Sequence, residues 1–390
     1  MLKTNILMNN NHILCVFGSP PRQGLTGPVI LDRHLKRLPS KYEISIVAPE
    51  QSFDGLTFPD EWRLIPIPMR RWWWIPYRYQ VRKLQEVRFW YWRQECEKVL
   101  KVSRPTIILT ILHDTYSVFS AYLSKIWQIP LIVILHDQME LVDKSDKFAD
   151  YVKKNWKYVL DQATVILPVS FELSISYQIN EINKIKLLLP IPEGNRNTFV
   201  EWEEQFKLSP ITAYAGNIYS AQIPDFRKVA KSLSKVNGRL LLIVPMSIEV
   251  KGLLSDCPNV DYHEPFKNNA DVIEYLSQYA SSILVNYPLD INTMPWISTS
   301  FPSKLVEFCH LGLPVLIIAP TSTPLGKWSL EHNWLSYLSN TDEEKLLLTL
   351  SNMTEKQKWL QMASQSITVA QSEFNPEYIQ AQFESAISIG

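Results

Sequence analysis

The strongest constraint on the fold is a repeated alternation of short apolar runs with longer amphipathic segments. Runs rich in Ile and Val are typical of strands buried on both faces, and these runs are too short for buried helices. In the first half of the chain they lie at residues 12–17, 44–48, 106–112, 131–135 and 164–169. The segments 25–38 and 116–127 between them have helical apolar spacing. This succession predicts a parallel sheet with helices on both faces.

Residues 189–210 interrupt the pattern with prolines and an acidic cluster, and we interpret them as a linker. In the series that follows, the predicted strands are 211–215, 239–244, 282–286 and 314–319. The predicted helices lie around 224–236, 270–279, 302–311 and 342–350. A length of 390 residues fits two domains. We therefore predict an α/β fold of two doubly wound, Rossmann-like domains, at 1–195 and 205–370, with the ligand in a cleft between them.

Composition disfavours several other classes of protein. Lys and Arg number 39 and Asp and Glu number 39, so the zero net charge argues against a protein that coats nucleic acid. The four cysteines have no metal-ligand spacing, which indicates free thiols in a reducing compartment. The longest apolar runs have about seven residues, whereas a spanning helix needs roughly 18, and no signal-peptide pattern is visible. We expect a cytoplasmic protein that is at most peripheral on the inner face of a membrane.

The most informative segment is 300–317, which reads SFPSKLVEFCHLGLPVLI. Its spacing predicts a short helix with Pro302 near its start, Ser300 or Ser303 as its cap, and Gly312 ending it. A helix start offers free N–H groups and a positive dipole end, which suit phosphate. Glu307 lies one turn further on, where it suits sugar hydroxyls. The alternative is an ordinary capped helix with Glu307 exposed, and spacing alone leaves both open.

The pattern P-S-K-L-x-E-x-x-x-x-G-x-P-V in this segment resembles the nucleotide-sugar signature of GT-B glycosyltransferases, in particular the family 4-like retaining enzymes. The run AYAGNIY (213–219) resembles the strand and turn that open the C-terminal domain of that family. More weakly, 260–288 resembles its base-contacting stretch, and 104–140 resembles a pair of N-domain strands. On this resemblance the donor-binding residues are Gly216, Asn217, Ser303, Lys304, Leu305 and Glu307.

The resemblance implies a metal-independent hexosyltransferase of retaining type in surface polysaccharide or glycolipid synthesis. The donor would be a UDP- or GDP-linked sugar, with no further cofactor, and the acceptor a glycan or a lipid-linked molecule held by the N-terminal domain. A C-terminal helix within 372–390 would cross back to that domain. No D-x-D sequence is present, which disfavours the metal-dependent GT-A class.

Two His-Asp pairs follow predicted strands, at His113-Asp114 and His136-Asp137. A neutral imidazole at a strand end suits hydrogen bonding to a sugar hydroxyl or assistance to a leaving group. The alternative is a packing or capping role, and one of the pairs can be structural. The family resemblance favours His136 and Asp137 as the catalytic pair.

Glycines cluster after the first predicted strand, in GSPPRQGLTGP (18–28). The resemblance places Gly24, Thr26 and Gly27 in a loop facing the acceptor or the donor phosphates. The alternative is a plain strand-to-helix turn, with Thr26 as the helix cap and Pro28 in the first turn.

Residues 70–93 carry seven Arg or Lys, one Glu and five Trp, a net charge of +6. Basic and aromatic side chains together suit an anionic membrane surface. The alternative is a helix that packs its aromatic rings on the sheet and leaves its basic residues in solvent. The proposed membrane patch consists of Arg71, Trp72, Trp73, Trp74, Arg78 and Arg82.

Two features of the family are missing. Its E-x7-E motif would place an acidic residue at Thr299, and its Arg-x4-Lys pair is absent after Gly216. These departures motivate an alternative, a catalytically degenerate GT-B protein that binds glycan or nucleotide sugar. A sugar-nucleotide epimerase of the same fold is a third hypothesis.

Overall fold

A computed structural model describes residues 11–22, 26–68, 82–101, 103–138, 147–194 and 199–388. It divides into two compact units, which we describe separately. The first consists of residues 1–169, 173–188 and 381–390, and the second of residues 170–172 and 189–380.

The first unit is built on a six-stranded parallel sheet in the order β3-β2-β1-β4-β5-β6. The strands are β1 (Asn11–Val16), β2 (Tyr42–Pro49), β3 (Arg63–Ile67), β4 (Ile107–Ile111), β5 (Leu131–Leu135) and β6 (Val165–Pro168). Every residue of β5 and β6 is buried. Burial on both faces of the sheet explains why these strands are continuous apolar runs and do not alternate.

Helices follow most strands of this sheet. They are α1 (Thr26–Lys36), α2 (Arg82–Val99), α3 (Thr115–Trp127), α4 (Lys147–Gln162) and the short α5 (Phe171–Ser176). The first two residues of α5 belong to the second unit and the rest of α5 to the first. The start of α3 is capped by Asp114, whose side chain accepts a hydrogen bond from the Tyr116 N–H at 2.7 Å. Such a cap satisfies one of the free N–H groups of a helix start.

The second unit repeats the arrangement with a parallel sheet in the order β12-β11-β10-β7-β8-β9. Its strands are β7 (Ile211–Ala215), β8 (Arg239–Ile243), β9 (Val260–His263), β10 (Ser282–Asn286), β11 (Val315–Ile318) and β12 (Tyr337–Leu338). Counted from β7, this is the strand order of the first sheet. Both sheets are doubly wound, which confirms the predicted α/β fold class.

The second half of the chain carries nine further α-helices among its described residues. They are α6 (Glu204–Leu208), α7 (Ile223–Ser234), α8 (Ile248–Asp256), α9 (Asn269–Tyr279), α10 (Ser303–Phe308), α11 (Pro324–Glu331), α12 (Glu343–Asn352), α13 (Lys356–Gln371) and α14 (Pro376–Ile387). A core of buried side chains from α7, α8, α12 and the strands includes Phe226, Leu242 and Leu316. The last part of α14 belongs to the first unit, where Phe383 stacks on His34 with ring centroids 4.4 Å apart.

Several details differ from the sequence predictions. The strands β3, β9 and β12 were not predicted, and the predicted linker contains α6. The predicted helix at 302–311 is α10 followed by a 3₁₀ turn, Cys309–Leu311, which Gly312 ends in a left-handed conformation. The predicted serine cap is wrong, because Pro302 occupies the cap position and no side chain caps α10.

Candidate functional site

The strand order locates the carboxyl edge of each sheet as the place for a ligand. In doubly wound sheets the strand order reverses beside the first strand, and ligands bind at that point, outside the carboxyl ends. The reversal lies between β1 and β4 in the first unit and between β7 and β10 in the second. Gly18 and the predicted site residues Gly216 and His136 all follow strands at these edges.

In the second unit, Gly216 and Lys304 are brought into close contact. Gly216 has φ +117°, a conformation that side chains rarely adopt, and a Cβ there would lie 2.5 Å from Lys304 Cε and 2.7 Å from its Nζ. Only glycine leaves room for the lysine at the end of β7. The resemblance implied that Gly216 is a donor-binding residue; the structure places the Lys304 side chain against it.

The Lys304 ammonium is held by Tyr214, the fourth residue of β7. Lys304 Nζ donates a hydrogen bond to the Tyr214 hydroxyl at 2.6 Å and lies 4.0 Å from the ring centroid. The hydroxyl in turn donates to the main-chain oxygen of Asn217 at 2.6 Å. Burial lowers the pKa of Lys304 to about 7. The lysine is therefore only partly protonated near neutral pH, and a bound anion would favour its charged form.

Glu307 is held on the same helix, one turn after Lys304. Its Oε1 accepts hydrogen bonds from the Glu193 N–H at 3.2 Å and from Asn269 Nδ2 at 2.9 Å. The same Asn269 nitrogen donates to Glu193 Oε2 at 3.1 Å. A carboxylate has about four acceptor positions, so the bound Glu307 retains capacity for ligand hydroxyls.

The other predicted donor-binding residues differ in exposure. Leu305 is fully buried, so its side chain belongs to the core and any ligand contact would be through its main chain. Ser303 opens α10 and is half-buried, whereas Asn217 is exposed. Thr299, at the position of the missing acidic residue, is buried and donates its hydroxyl to the Trp296 main-chain oxygen at 3.2 Å.

In the first unit, the two His-Asp pairs differ in role. Asp114 caps α3, and its carboxylate fills the space above Gly18, where a Cβ would overlap it. His113 is exposed, and the nearby Asp114 carboxylate, 3.9 Å from its Nδ1, raises the pKa of His113. This pair is therefore part of the strand-to-helix connection, which the sequence had left open.

His136 has a different environment at the end of β5. Its Nε2 is buried and has no hydrogen-bond partner among the described residues. Burial lowers the pKa of His136, an effect that the neighbouring Asp137 opposes. A Cβ on Gly27, the second residue of α1, would lie 3.8 Å from His136 Cδ2, so the start of α1 and this histidine lie close together. Thr26 begins α1, and Gly24 lies outside the described residues.

The basic aromatic segment is described only from α2 onward. Arg71, Trp72, Trp73, Trp74 and Arg78 lie outside the described residues, and Arg82 is the first residue of α2.

Within α2, Phe89 and Trp92 are buried, as the packing alternative expects, whereas the buried Arg88 departs from the solvated basic face of that alternative. Trp92 stacks on Tyr116 with centroids 4.9 Å apart, and the Arg88 guanidinium lies 5.0 Å from the Trp92 centroid. Trp90 is 52% exposed and belongs to the opposite face.

Among the residues that the structure describes, no helix has the length and apolarity that crossing a membrane requires. Nor do three or more His, Cys, Asp or Glu side chains in the described ranges come together as candidate metal ligands.

Comparisons with known proteins identify the fold. The chain is similar to HepE of Anabaena, solved with UDP and glucose, at 13% identity and a TM-score of 0.64, covering 97% of this chain and 99% of that one. It is similar to the lipopolysaccharide outer core galactosyltransferase WaaB at 12% identity and a TM-score of 0.64, covering 97% and 99%. A putative UDP-N-acetylglucosamine 2-epimerase from Listeria monocytogenes matches at 12% identity and a TM-score of 0.58, covering 97% and 96%.

No protein-family model and no curated protein sequence matches the chain. The structural similarities extend over nearly its whole length and over two sheets of the same strand order. The chain has the GT-B fold.

Proposed function

We propose that this protein is a glycosyltransferase that moves a hexose-type sugar from a UDP- or GDP-linked donor to a glycan or lipid-linked acceptor. Lys304 lies on α10, the helix that also bears Glu307, and approaches Gly216 at the carboxyl end of β7. This approach is the observation that carries the proposal. HepE, which has this fold, was solved with UDP and glucose.

Lys304 is the proposed ligand of the donor diphosphate. The Arg-x4-Lys pair of the resembled family is absent, and the Lys304 ammonium stands over the same glycine turn that the pair would follow. Stabilising the leaving diphosphate with a preorganised cation and main-chain N–H groups lowers the barrier to sugar transfer. In this proposal the reaction is of retaining type and needs no metal.

Glu307 is the proposed acceptor for ribose hydroxyls. Its side chain is already fixed by two hydrogen bonds, from Asn269 and from the Glu193 main chain. A prepositioned carboxylate binds a hydroxyl at a lower entropic cost than a mobile one.

His136 is the proposed contact of the first unit with the reacting sugar, with Asp137 as its neighbour. A lowered pKa keeps the imidazole neutral at pH 7, and its Nε2, which has no hydrogen-bond partner among the described residues, would bind a hydroxyl. The segment at Gly24, Thr26 and Gly27 would contact the acceptor or the phosphates, and the position of Gly27, where a Cβ would lie 3.8 Å from His136 Cδ2, supports this grouping.

Attachment to an anionic membrane surface is a further part of the proposal. The basic aromatic segment continues into α2, where Val87 and Trp90 are 53% and 52% exposed. Exposed aromatic and basic side chains suit the headgroup region of a bilayer. Flotation with anionic liposomes at low salt tests it, and the absence of binding would remove the membrane contact from the proposal.

The transferase itself is tested with a panel of UDP-, GDP- and dTDP-sugars. Glu307→Ala should weaken binding of the preferred donor strongly, while Glu274→Ala, an exposed glutamate on α9, serves as the matched control. If donors bind but none of them is turned over, the transferase proposal is refuted. Unchanged donor affinity of Glu307→Ala would refute the site assignment.

Two other functions have specific support. The similarity to a putative UDP-N-acetylglucosamine 2-epimerase favours an epimerase, which would interconvert or hydrolyse the donor without an acceptor. The buried Thr299 in place of an acidic residue favours a degenerate protein that binds the donor only. Product analysis of the same donor panel distinguishes transfer, epimerisation and binding alone.

A further inference from the structure

Asn269 joins two carboxylates from separate parts of the second unit. It is the first residue of α9, Glu307 lies on α10, and Glu193 lies in the loop that precedes α6. Its Nδ2 donates to Glu307 Oε1 at 2.9 Å and to Glu193 Oε2 at 3.1 Å. An amide nitrogen has two hydrogens, so each carboxylate receives one of them.

This arrangement fixes the direction of the Glu307 carboxylate. The helix that carries Glu307 has only six residues, and its side chain is half-buried, so packing alone constrains the carboxylate little. The Asn269 amide and the Glu193 N–H both donate to the same oxygen, Oε1. Glu193 in turn holds the Asn269 amide by its second hydrogen. A neutral donor between two carboxylates also reduces their mutual repulsion.

We propose that Asn269 is a positioning residue that sets Glu307 for recognition of a ribose hydroxyl, so that it determines the preference for ribonucleotide over deoxyribonucleotide donors. The inference rests on the proposed function and names a specificity residue within it. A site built to hydrogen-bond a hydroxyl strongly rejects the analogue that lacks it, because the polar group of the protein then stays unpaired. That rejection depends on where the carboxylate is held, and hence on Asn269.

The experiment compares calorimetric Kd values for the full chain with UDP or GDP, whichever binds, and with its 2′-deoxy and 3′-deoxy analogues. The wild type should prefer the ribonucleotide over at least one analogue. Asn269→Ala should reduce that preference at least fivefold. Asn269→Asp, which has the same shape but cannot donate, should reduce it at least as much.

Asn268→Ala is the matched control, since Asn268 is exposed and its side chain donates to Asp271. It should retain the wild-type preference. A purely structural role of Asn269 would lower the melting temperature and weaken all ligands equally, leaving the ratio of their Kd values unchanged.

The outcomes separate this inference from the proposed function. A wild type that binds neither UDP nor GDP overturns both. A wild type that binds one of them, with a preference that the Asn269 variants retain, overturns the positioning role and leaves the donor site standing. Equal affinity of the wild type for the ribonucleotide and both analogues overturns the role of Asn269 together with the ribose contact of Glu307, and leaves the transferase proposal standing.

Discussion

Replacing Gly216 by alanine should perturb the second unit in two separable ways. The added Cβ would lie 2.5 Å from Lys304 Cε and 2.7 Å from Nζ, so the lysine must leave its place above Tyr214. The backbone at φ +117° would also be strained for any residue with a side chain. The backbone strain costs of order 1–3 kcal/mol, and loss of the hydrogen bond to Tyr214 costs about 1 kcal/mol more.

We therefore expect Gly216→Ala to lower the free energy of unfolding by about 2–4 kcal/mol. For a unit of this size, the melting temperature falls by about 2–4 °C per kcal/mol, so the expected change is roughly 5–15 °C. Calorimetry of the full chain measures this change, and titration with UDP or GDP measures the accompanying loss of affinity.

Two glycines provide matched controls. Gly55 has φ +71° with open space around its Cβ position, so Gly55→Ala reports the backbone cost alone. Gly252 lies within α8, also in open space, and Gly252→Ala should stabilise the helix by about 1 kcal/mol.

The double variant Gly216→Ala/Lys304→Ala isolates the contact. Without the lysine, Gly216→Ala should cost only its backbone strain, so the two changes should be non-additive. If Gly216→Ala destabilises no more than Gly55→Ala, and its effect adds to that of Lys304→Ala, then the glycine is not there to admit the lysine.

Three further predictions follow from the two units. Because the pKa of Lys304 is lowered to about 7, the protein must take up a proton when it binds a UDP-sugar above that pH, so the affinity for the UDP-sugar should fall as pH rises from 7 to 9. Lys304→Arg should remove this pH dependence, and a wild-type affinity that calorimetry finds constant over this range would contradict the prediction. Gly18→Ala should displace Asp114 from the start of α3 and lower the free energy of unfolding, measured with urea, by about 1–2 kcal/mol or more. An unchanged free energy of unfolding would show that the backbone around Gly18 adapts to the added methyl group. Trp92→Ala should lower the free energy of unfolding by about 3–5 kcal/mol, whereas Trp90→Ala, on the exposed face of the same helix, should change it by about 0.5 kcal/mol or less. Equal effects of the two substitutions would show that burial of Trp92 does not stabilise the first unit.

The unpredicted elements have common physical causes. The run at β3 contains Pro66 and alternates in burial, so it lacks the continuous apolar signal of the inner strands. The strand β12 has only two residues, too few for any periodicity. The helix α13 was also not predicted, although Trp359 within it is buried and donates to the Ser281 main-chain oxygen at 2.8 Å. Edge and covering elements depend on their neighbours more than on their own pattern.

The site shows a similar division. The resemblance to the GT-B signature pointed to Gly216, Lys304 and Glu307 as candidates, whereas nothing in the sequence pointed to Tyr214, Asn269 or Glu193. Tyr214 sits within an apolar strand, where an aromatic residue indicates core packing. Asn269 begins a helix, where an Asn indicates a cap. In each case the polar contact joins residues that are far apart in the sequence, so no local sequence pattern indicates it.

By itself the sequence determined the α/β class and the two doubly wound sheets, because strands buried on both faces must be continuous apolar runs separated by helices. It also predicted a helix start after Pro302 and a glycine turn after β7, and the structure contains both. Only the tertiary structure decided that Lys304 meets Tyr214, 90 residues away, and that Asn269 joins Glu307 to Glu193. Contacts of this kind depend on which strands become neighbours, and the strand order of a sheet is set by packing of the whole unit and not by any local pattern.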